Sequence, residues 1–187
     1  DKQVWVDQLA GFLDGLGIDK VSIVGNSFGG GITLAFMIAH PDRVERAVLM
    51  GPAGLNFPIT PALDKVWGYE PSVEAMRESL KYLAWDHSRL TEDLIQSRYV
   101  ASARPEAHEP YHATFGGADR QANVAMLASR EEDIAAIEHE TLILHGIADQ
   151  VIPLDSTVRL ATLLKRADLH LFAECGHWVQ IERMASF

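Results

Sequence analysis

The sequence predicts an α/β fold, a mostly parallel sheet flanked by helices and interrupted by an all-helical insertion. Three observations carry that expectation. Residues 21–24 (Val-Ser-Ile-Val) and 44–50 (Val-Glu-Arg-Ala-Val-Leu-Met) read as strands on either side of an apolar helix, a βαβ unit whose strands run parallel. Residues from about Asn56 to Arg130 offer helix patterns but no convincing buried strand. The sheet then resumes at residues 141–144 and again at 169–173, with a helix between them.

In order, the chain begins with a helix whose apolar residues Val4, Trp5, Leu9, Phe12, Leu13 and Leu16 recur at threes and fours, closed by Gly15 and Gly17. The first strand follows and reads as buried. Behind it Ile32 to Ala39 form an apolar helix ended by His40-Pro41, and the second strand stops at Gly51-Pro52. Within the insertion, Ser72 caps a helix bearing Val73, Met76, Leu80 and Leu83, and Thr91 caps one bearing Leu94, Ile95, Arg98 and Tyr99. The stretch holding His108, Pro110, His112 and Gly116-Gly117 reads as loop-rich. An insertion at this place suits a lid over the strand C-terminal ends. Pro153 and Asp155 announce a helix from Ser156 to Leu164, with Asp155 as its cap, and Glu174-Cys175-Gly176-His177-Trp178 follows the last strand. The resulting divisions are a partial core over 1–55, a helical lid over 56–133 and the remaining core over 134–187.

The organising stretch is Gly25-Asn26-Ser27-Phe28-Gly29, a G-x-S-x-G between a strand and a helix. A serine at so sharp a reversal sits in strained geometry, so the residues two either side must lack bulk. The turn lifts Oγ clear of the sheet and aims the Phe28 N–H where an oxyanion would form. A phosphate-binding turn fits poorly: no Lys follows the glycines, and their spacing is not G-x-G-x-x-G.

The chain has 187 residues, 48% hydrophobic and 22% charged, enough for one globular domain with a core. Its net charge of −10 argues against nucleic acid or an anionic membrane as partner. No apolar run reaches membrane-spanning length. The single cysteine, Cys175, has no internal disulfide partner, so a reducing compartment, the cytoplasm, is expected.

A serine hydroxyl needs a general base, and the base an orienting carboxylate. Asp149 and His177 supply them in the order serine, acid, histidine, each just past a strand's C-terminal end. Among the eight histidines, His40 reads as a helix end, and His87, His108, His112 and His139 as solvated. His145 lies at a strand end and His170 alternates along a strand, which leaves His177 in its Gly-His loop. Cys175 and His177 form no metal-ligand set with recognisable spacing, so no metal is expected.

The elbow with its glycines, Phe57-Pro58-Ile59-Thr60, Val66-Trp67-Gly68-Tyr69-Glu70-Pro71-Ser72-Val73-Glu74 and Cys175-Gly176-His177-Trp178-Val179-Gln180-Ile181-Glu182 resemble the meta-cleavage product hydrolases of the α/β-hydrolase fold, closest to the 2-hydroxymuconate-semialdehyde type. The resemblance runs along nearly the whole chain. It implies cofactor-free hydrolysis of a carbon–carbon bond in a 2-hydroxy-6-oxo-dienoate, a small-molecule substrate from aromatic catabolism, and a homo-oligomer in full-length form. It also implies Ser27, Asp149 and His177 as the triad, Phe28 as an oxyanion donor, and Asn26 and Trp178 in the dienoate pocket. Arg98 falls where the family keeps a lid arginine for the substrate's carboxylate end; from the residues alone it is a solvated helix arginine paired with Glu92 or Glu106. Trp178 likewise reads, alone, as a packing residue. Leu83 departs from the family's aromatic at that lid position.

By the same resemblance, the chain is expected to be a truncated segment, without the N-terminal strands that supply a second oxyanion donor and ending at Phe187, where a last helix would start. The first strand would then be an edge, and the chain alone poorly soluble, or associated through that edge, and catalytically silent. The alternatives are a carboxylesterase of the same fold, or an inactive fragment.

Overall fold

The computed structural model describes residues 1–186; Phe187, where a further helix was expected to start, lies outside the described residues. The chain runs α1 (Gln3–Gly15), β1 (Val21–Asn26), α2 (Phe28–Ala39), a 3-10 turn at Pro41–Arg43 and β2 (Val44–Met50). Five helices follow: α3 (Pro61–Trp67), α4 (Val73–Leu83), α5 (Glu92–Ser102), α6 (Pro105–Phe115) and α7 (Arg120–Leu127), with a 3-10 turn at His87–Arg89. Then come α8 (Glu131–Ala135), β3 (Glu140–Gly146), α9 (Leu154–Leu163), β4 (Ala167–Phe172) and α10 (Val179–Glu182). This is the α/β-hydrolase arrangement of a parallel sheet flanked by helices, with helices inserted between two of its strands.

The strands lie in the order β1-β2-β3-β4, every pair parallel, with Asn26 opposite Met50, Met50 opposite Leu144, and Gly146 opposite Phe172. Because all four run the same way, their C-terminal ends share one rim of the sheet, where ligands of such sheets bind. Ser27, Gly51, Asp149 and His177 each lie within a few residues of one of those ends.

Helix α2 is apolar on nearly all sides and buries Leu34, Phe36 and Met37. They join Val6 and Leu13 of α1, Leu49 of β2, Ile143 of β3 and Leu160 of α9 in the largest apolar cluster. On the other face of the sheet, Met50 and Leu144 pack beneath Phe172, Cys175 and Val179. The same face is bare further back, where Val24 is 60% and Leu142 39% exposed.

Several expectations need correction. β1 is not a buried strand; as the reading of a truncated segment expects, it lies at the edge of the sheet, with β2 as its one neighbouring strand among the described residues. The α1 stripe is wider than the surface that covers it: Val6 and Leu13 are buried, while Val4, Phe12 and Leu16 face solvent. Asp155 is no cap, since Pro153 holds that position and Asp155 sits in the first turn of α9. Ser72 and Thr91 do cap, accepting the N–H of Ala75 and Leu94.

The loop-rich stretch is helix α6, with Pro110 inside it. Pro105 starts it at no cost, since a first-turn N–H has no partner to lose. The interior proline removes one hydrogen bond, which the aromatic face of the helix offsets. Phe115 stacks on Trp67 at 5.1 Å and meets the edge of Phe28 at 5.6 Å, while the Tyr111 hydroxyl donates to the Val66 carbonyl at 2.6 Å. Trp5 completes this aromatic row, 5.0 Å from Phe28.

Candidate active site

Ser27 sits between β1 and α2 with φ 53° and ψ −115°, a left-handed backbone that a serine rarely adopts. Three main-chain bonds hold it there: its N–H donates to the Met50 carbonyl, and its own carbonyl accepts from Gly30 and Ala53. The need for small neighbours is real at Gly25, where a β-carbon would come 2.5 Å from Thr33 Oγ1 and 2.6 Å from the Gly29 carbonyl oxygen. It does not hold at Gly29, which has open space, and falls instead on Gly30, packed against Pro52. The Phe28 N–H begins α2, so no helical carbonyl claims it.

His177 and Asp149, which the sequence pairs as a base and its orienting acid, lie in contact. His177 Nδ1 is 2.7 Å from Asp149 Oδ2, and both side chains are almost wholly buried. Asp149 Oδ1 accepts the N–H groups of Val151 and Ile152. Burial pushes this carboxyl upward, but His177, His145 and the Ile152 amide outweigh it and hold the group below its ordinary range. Asp149 therefore stays ionised and ready to stabilise an imidazolium.

Gly51 connects this pair to the serine. It follows Met50, whose carbonyl holds the Ser27 N–H, and its missing β-carbon would lie 3.0 Å from His177 Nδ1. Ser27 Oγ makes no hydrogen bond to His177 among the described residues; such contacts are often long in a site without substrate.

Behind Asp149 stands His145, which sequence reading treated only as a strand end. It is fully buried, its Nδ1 3.0 Å from Thr157 Oγ1 and its Nε2 3.8 Å from Asp149 Oδ2. Burial pulls its pKa down further than Asp149 raises it. Cys175 is no rival nucleophile, because burial pushes its thiol up to about 11.

A cavity of about 430 Å³ opens under α4, α5 and α6, next to the His177 loop. Trp178 and Leu83 line it with Tyr111, and Arg98 is its one arginine or lysine. Trp178 is 8% exposed, and the Arg98 guanidinium lies over its ring, 5.4 Å from the centroid. The expected partners of Arg98 are absent: Glu92 pairs with Arg77, and Arg98 forms no salt bridge among the described residues. His108 also lines the cavity, 3.5 Å from Glu70, rather than being merely solvated. The i, i+3, i+7 spacing of His108, Tyr111 and Phe115 is the available signal, masked by the Pro and Gly residues that make the stretch read as loop-rich.

Asn26 is the last residue of β1, beside Ser27 and outside the cavity lining; its buried Oδ1 has no hydrogen-bond partner. Thus Asp149 and His177 come together, as do Arg98 and Trp178, and Trp178 joins the two groups through its neighbour. No cluster of three metal-ligating side chains occurs among the described residues, and none of their helices is long and apolar enough to cross a membrane.

Comparison with known proteins agrees with this architecture. Residues 3–184 match the family described as alpha/beta hydrolase fold. The chain is 52% identical over 187 residues to a 2-hydroxymuconate semialdehyde hydrolase of Pseudomonas sp. strain CF600, covering all of this chain and 66% of that protein. It is 52% identical over 183 residues to a 2-hydroxy-6-oxo-2,4-heptadienoate hydrolase of Pseudomonas putida, covering 98% of this chain and again 66% of the relative. The chain thus spans just under two thirds of these curated relatives. A solved meta-cleavage product hydrolase from Pseudomonas fluorescens IP01 superposes with a TM-score of 0.97 at 47% identity, covering 100% of this chain and 68% of that one.

Proposed function

The chain belongs to the α/β-hydrolase family and, within it, to the meta-cleavage product hydrolases, and from that premise we propose that its protein hydrolyses a carbon–carbon bond in a 2-hydroxy-6-oxo-dienoate such as 2-hydroxymuconate semialdehyde. The observation that carries this reading is the His177–Asp149 pair, bonded at 2.7 Å, followed directly in the chain by Trp178, which with Arg98 lines an apolar cavity.

In this reading the Arg98 guanidinium, held over Trp178, takes the substrate's carboxylate as a planar fork. Trp178 holds the dienoate from the cavity wall, and Asn26, outside that lining, meets it from beside Ser27. Ketonisation moves the 2-hydroxyl proton to C5 with help from His177, and Arg98 offsets the charge that gathers at the 2-oxygen. Ser27 then assists addition at C6, with its proton taken by His177 and the oxyanion met by the Phe28 N–H. The C5–C6 bond breaks, its electron pair returns through the conjugated chain to the 2-oxygen, and one water is consumed. Residues 56–133 serve as the lid, between core segments 1–55 and 134–187. The enzyme acts in the cytoplasm, its single cysteine needing no oxidising compartment. The full-length form is a homo-oligomer.

The test is loss of dienolate absorbance, run beside simple esters. Ser27→Ala is expected to lower turnover by several orders of magnitude while binding stays near normal, because triad members act as a unit. More than about a tenth of the wild-type rate would remove Ser27 as the catalytic group. A preference for esters would favour a carboxylesterase instead.

A further inference from the structure

The loop carrying His177 is stitched to the segment that leaves α4. The Leu83 carbonyl accepts the N–H of His177 at 2.9 Å and of Trp178 at 3.1 Å. Glu182, in α10, then bridges the same two segments from the other side. Its Oε1 accepts from Trp85 N–H at 2.8 Å and Asp86 N–H at 2.9 Å, and its Oε2 accepts from Gly176 N–H at 2.7 Å.

Glu182 is only 7% exposed and pairs with no cation among the described residues. A buried carboxylate without a counter-ion is costly unless backbone donors satisfy it. Here those donors come from two separate stretches of chain, so satisfying the charge also fixes one stretch against the other. The approach is close: a β-carbon on Gly176 would lie 2.8 Å from Trp85 N and 2.9 Å from the Leu83 carbonyl oxygen. Both joined segments reach the site, since Trp178 and the α4 residues Met76, Leu80 and Leu83 line the cavity.

We infer that Glu182 is a positioning residue, which clamps the His177–Trp178 loop to the root of α4 and so sets the imidazole and the cavity wall as one unit. The inference rests on the reading of His177 as the general base. Glutamine cannot replace the clamp, because its amide offers one acceptor oxygen where the carboxylate offers two. In Glu182→Gln an NH2 group must face either Gly176 N–H or the Trp85 and Asp86 N–H groups, and one side lets go. Gly176→Ala presses the same two segments apart while leaving the Glu182 carboxylate itself in place.

The experiment measures steady-state kinetics on a dienoate and on an ester, thermal melting, and the proton resonance of His177 Nδ1–H in both variants, with Ser27→Ala as control. Cooperative melting is expected to persist. Values of kcat should fall about 10–100-fold on both substrates with little change in KM, the effect of an imidazole misplaced by about an ångström. The His177 resonance should shift or broaden. Wild-type kcat in both variants, or a lowered melting temperature with kcat and resonance unchanged, would overturn the inference. If Ser27→Ala stays active, the functional reading fails, and the resonance alone then decides whether the clamp holds His177.

Discussion

Gly51 lies directly against His177: a β-carbon there would come 3.0 Å from the imidazole Nδ1 and 3.2 Å from Asp149 Oδ2, the two atoms whose hydrogen bond orients the ring. Its φ of +47° also belongs to the left-handed region. The second strand is thus followed by a residue whose small size leaves room for the pair. Gly51→Ala is expected to cost about 1–2 kcal/mol of stability through backbone strain. It should also lower turnover by at least about tenfold, because the ring must move. Denaturant melts and kcat check both, and an unchanged kcat would show that the pair tolerates the methyl group.

Arg98 tests the anion site. If its fork holds the carboxylate, Arg98→Lys should fail nearly as badly as Arg98→Ala, since a point charge replaces neither the planar geometry nor the stacking on Trp178. The expected loss is roughly 2–4 kcal/mol in transition-state stabilisation for a dienoate and less for a neutral ester. Equal losses in kcat/KM on the two substrates would remove Arg98 from that role.

His145 gives the fold a pH dependence. Its folded pKa lies below the ordinary value of 6.5, mainly through burial, whereas the unfolded chain takes up the proton near that value. Stability from this group is therefore complete above about pH 6.5 and lost as the pH falls below it. Asp149, also depressed, acts in the same direction but only in acid below its ordinary 3.8. The melting temperature should drop between pH 7.5 and 5.5, and His145→Gln should flatten that slope. The same slope in wild type and variant would refute the assignment.

The exposed edge predicts self-association of the 187-residue chain. Val24, 60% exposed, lies on β1, and Phe12, 62% exposed, shares a surface groove with it; the outer side of β1 pairs with no strand among the described residues. Light scattering should show concentration-dependent assembly, and Val24→Lys should shift it toward monomer. A monodisperse monomer at high concentration would contradict this.

Much of this was legible in the sequence. Short apolar runs bounded by Gly and Pro marked the four strands, and Ser72 and Thr91 marked their helix starts, because strand and cap signals depend on a few neighbouring residues. The strand–Ser27–helix arrangement located the elbow, and chain order singled out Asp149 and His177. The resemblance, not periodicity, brought Arg98 and Trp178 forward.

Tertiary packing decided the rest. Pro110 sits inside α6 because Tyr111 and Phe115 find an aromatic row built from distant segments, and no local pattern records that row. Gly30 rather than Gly29 needs its lack of bulk because Pro52 arrives there from the end of β2. That β1 is an edge came from the resemblance and from no local pattern, because strand order is a property of the assembled sheet. His145 stands behind Asp149, and Glu182 between two loops, only once helices and strands far apart in the chain have packed. Local sequence sets backbone preference and periodicity; which buried polar groups become partners depends on the fold that encloses them.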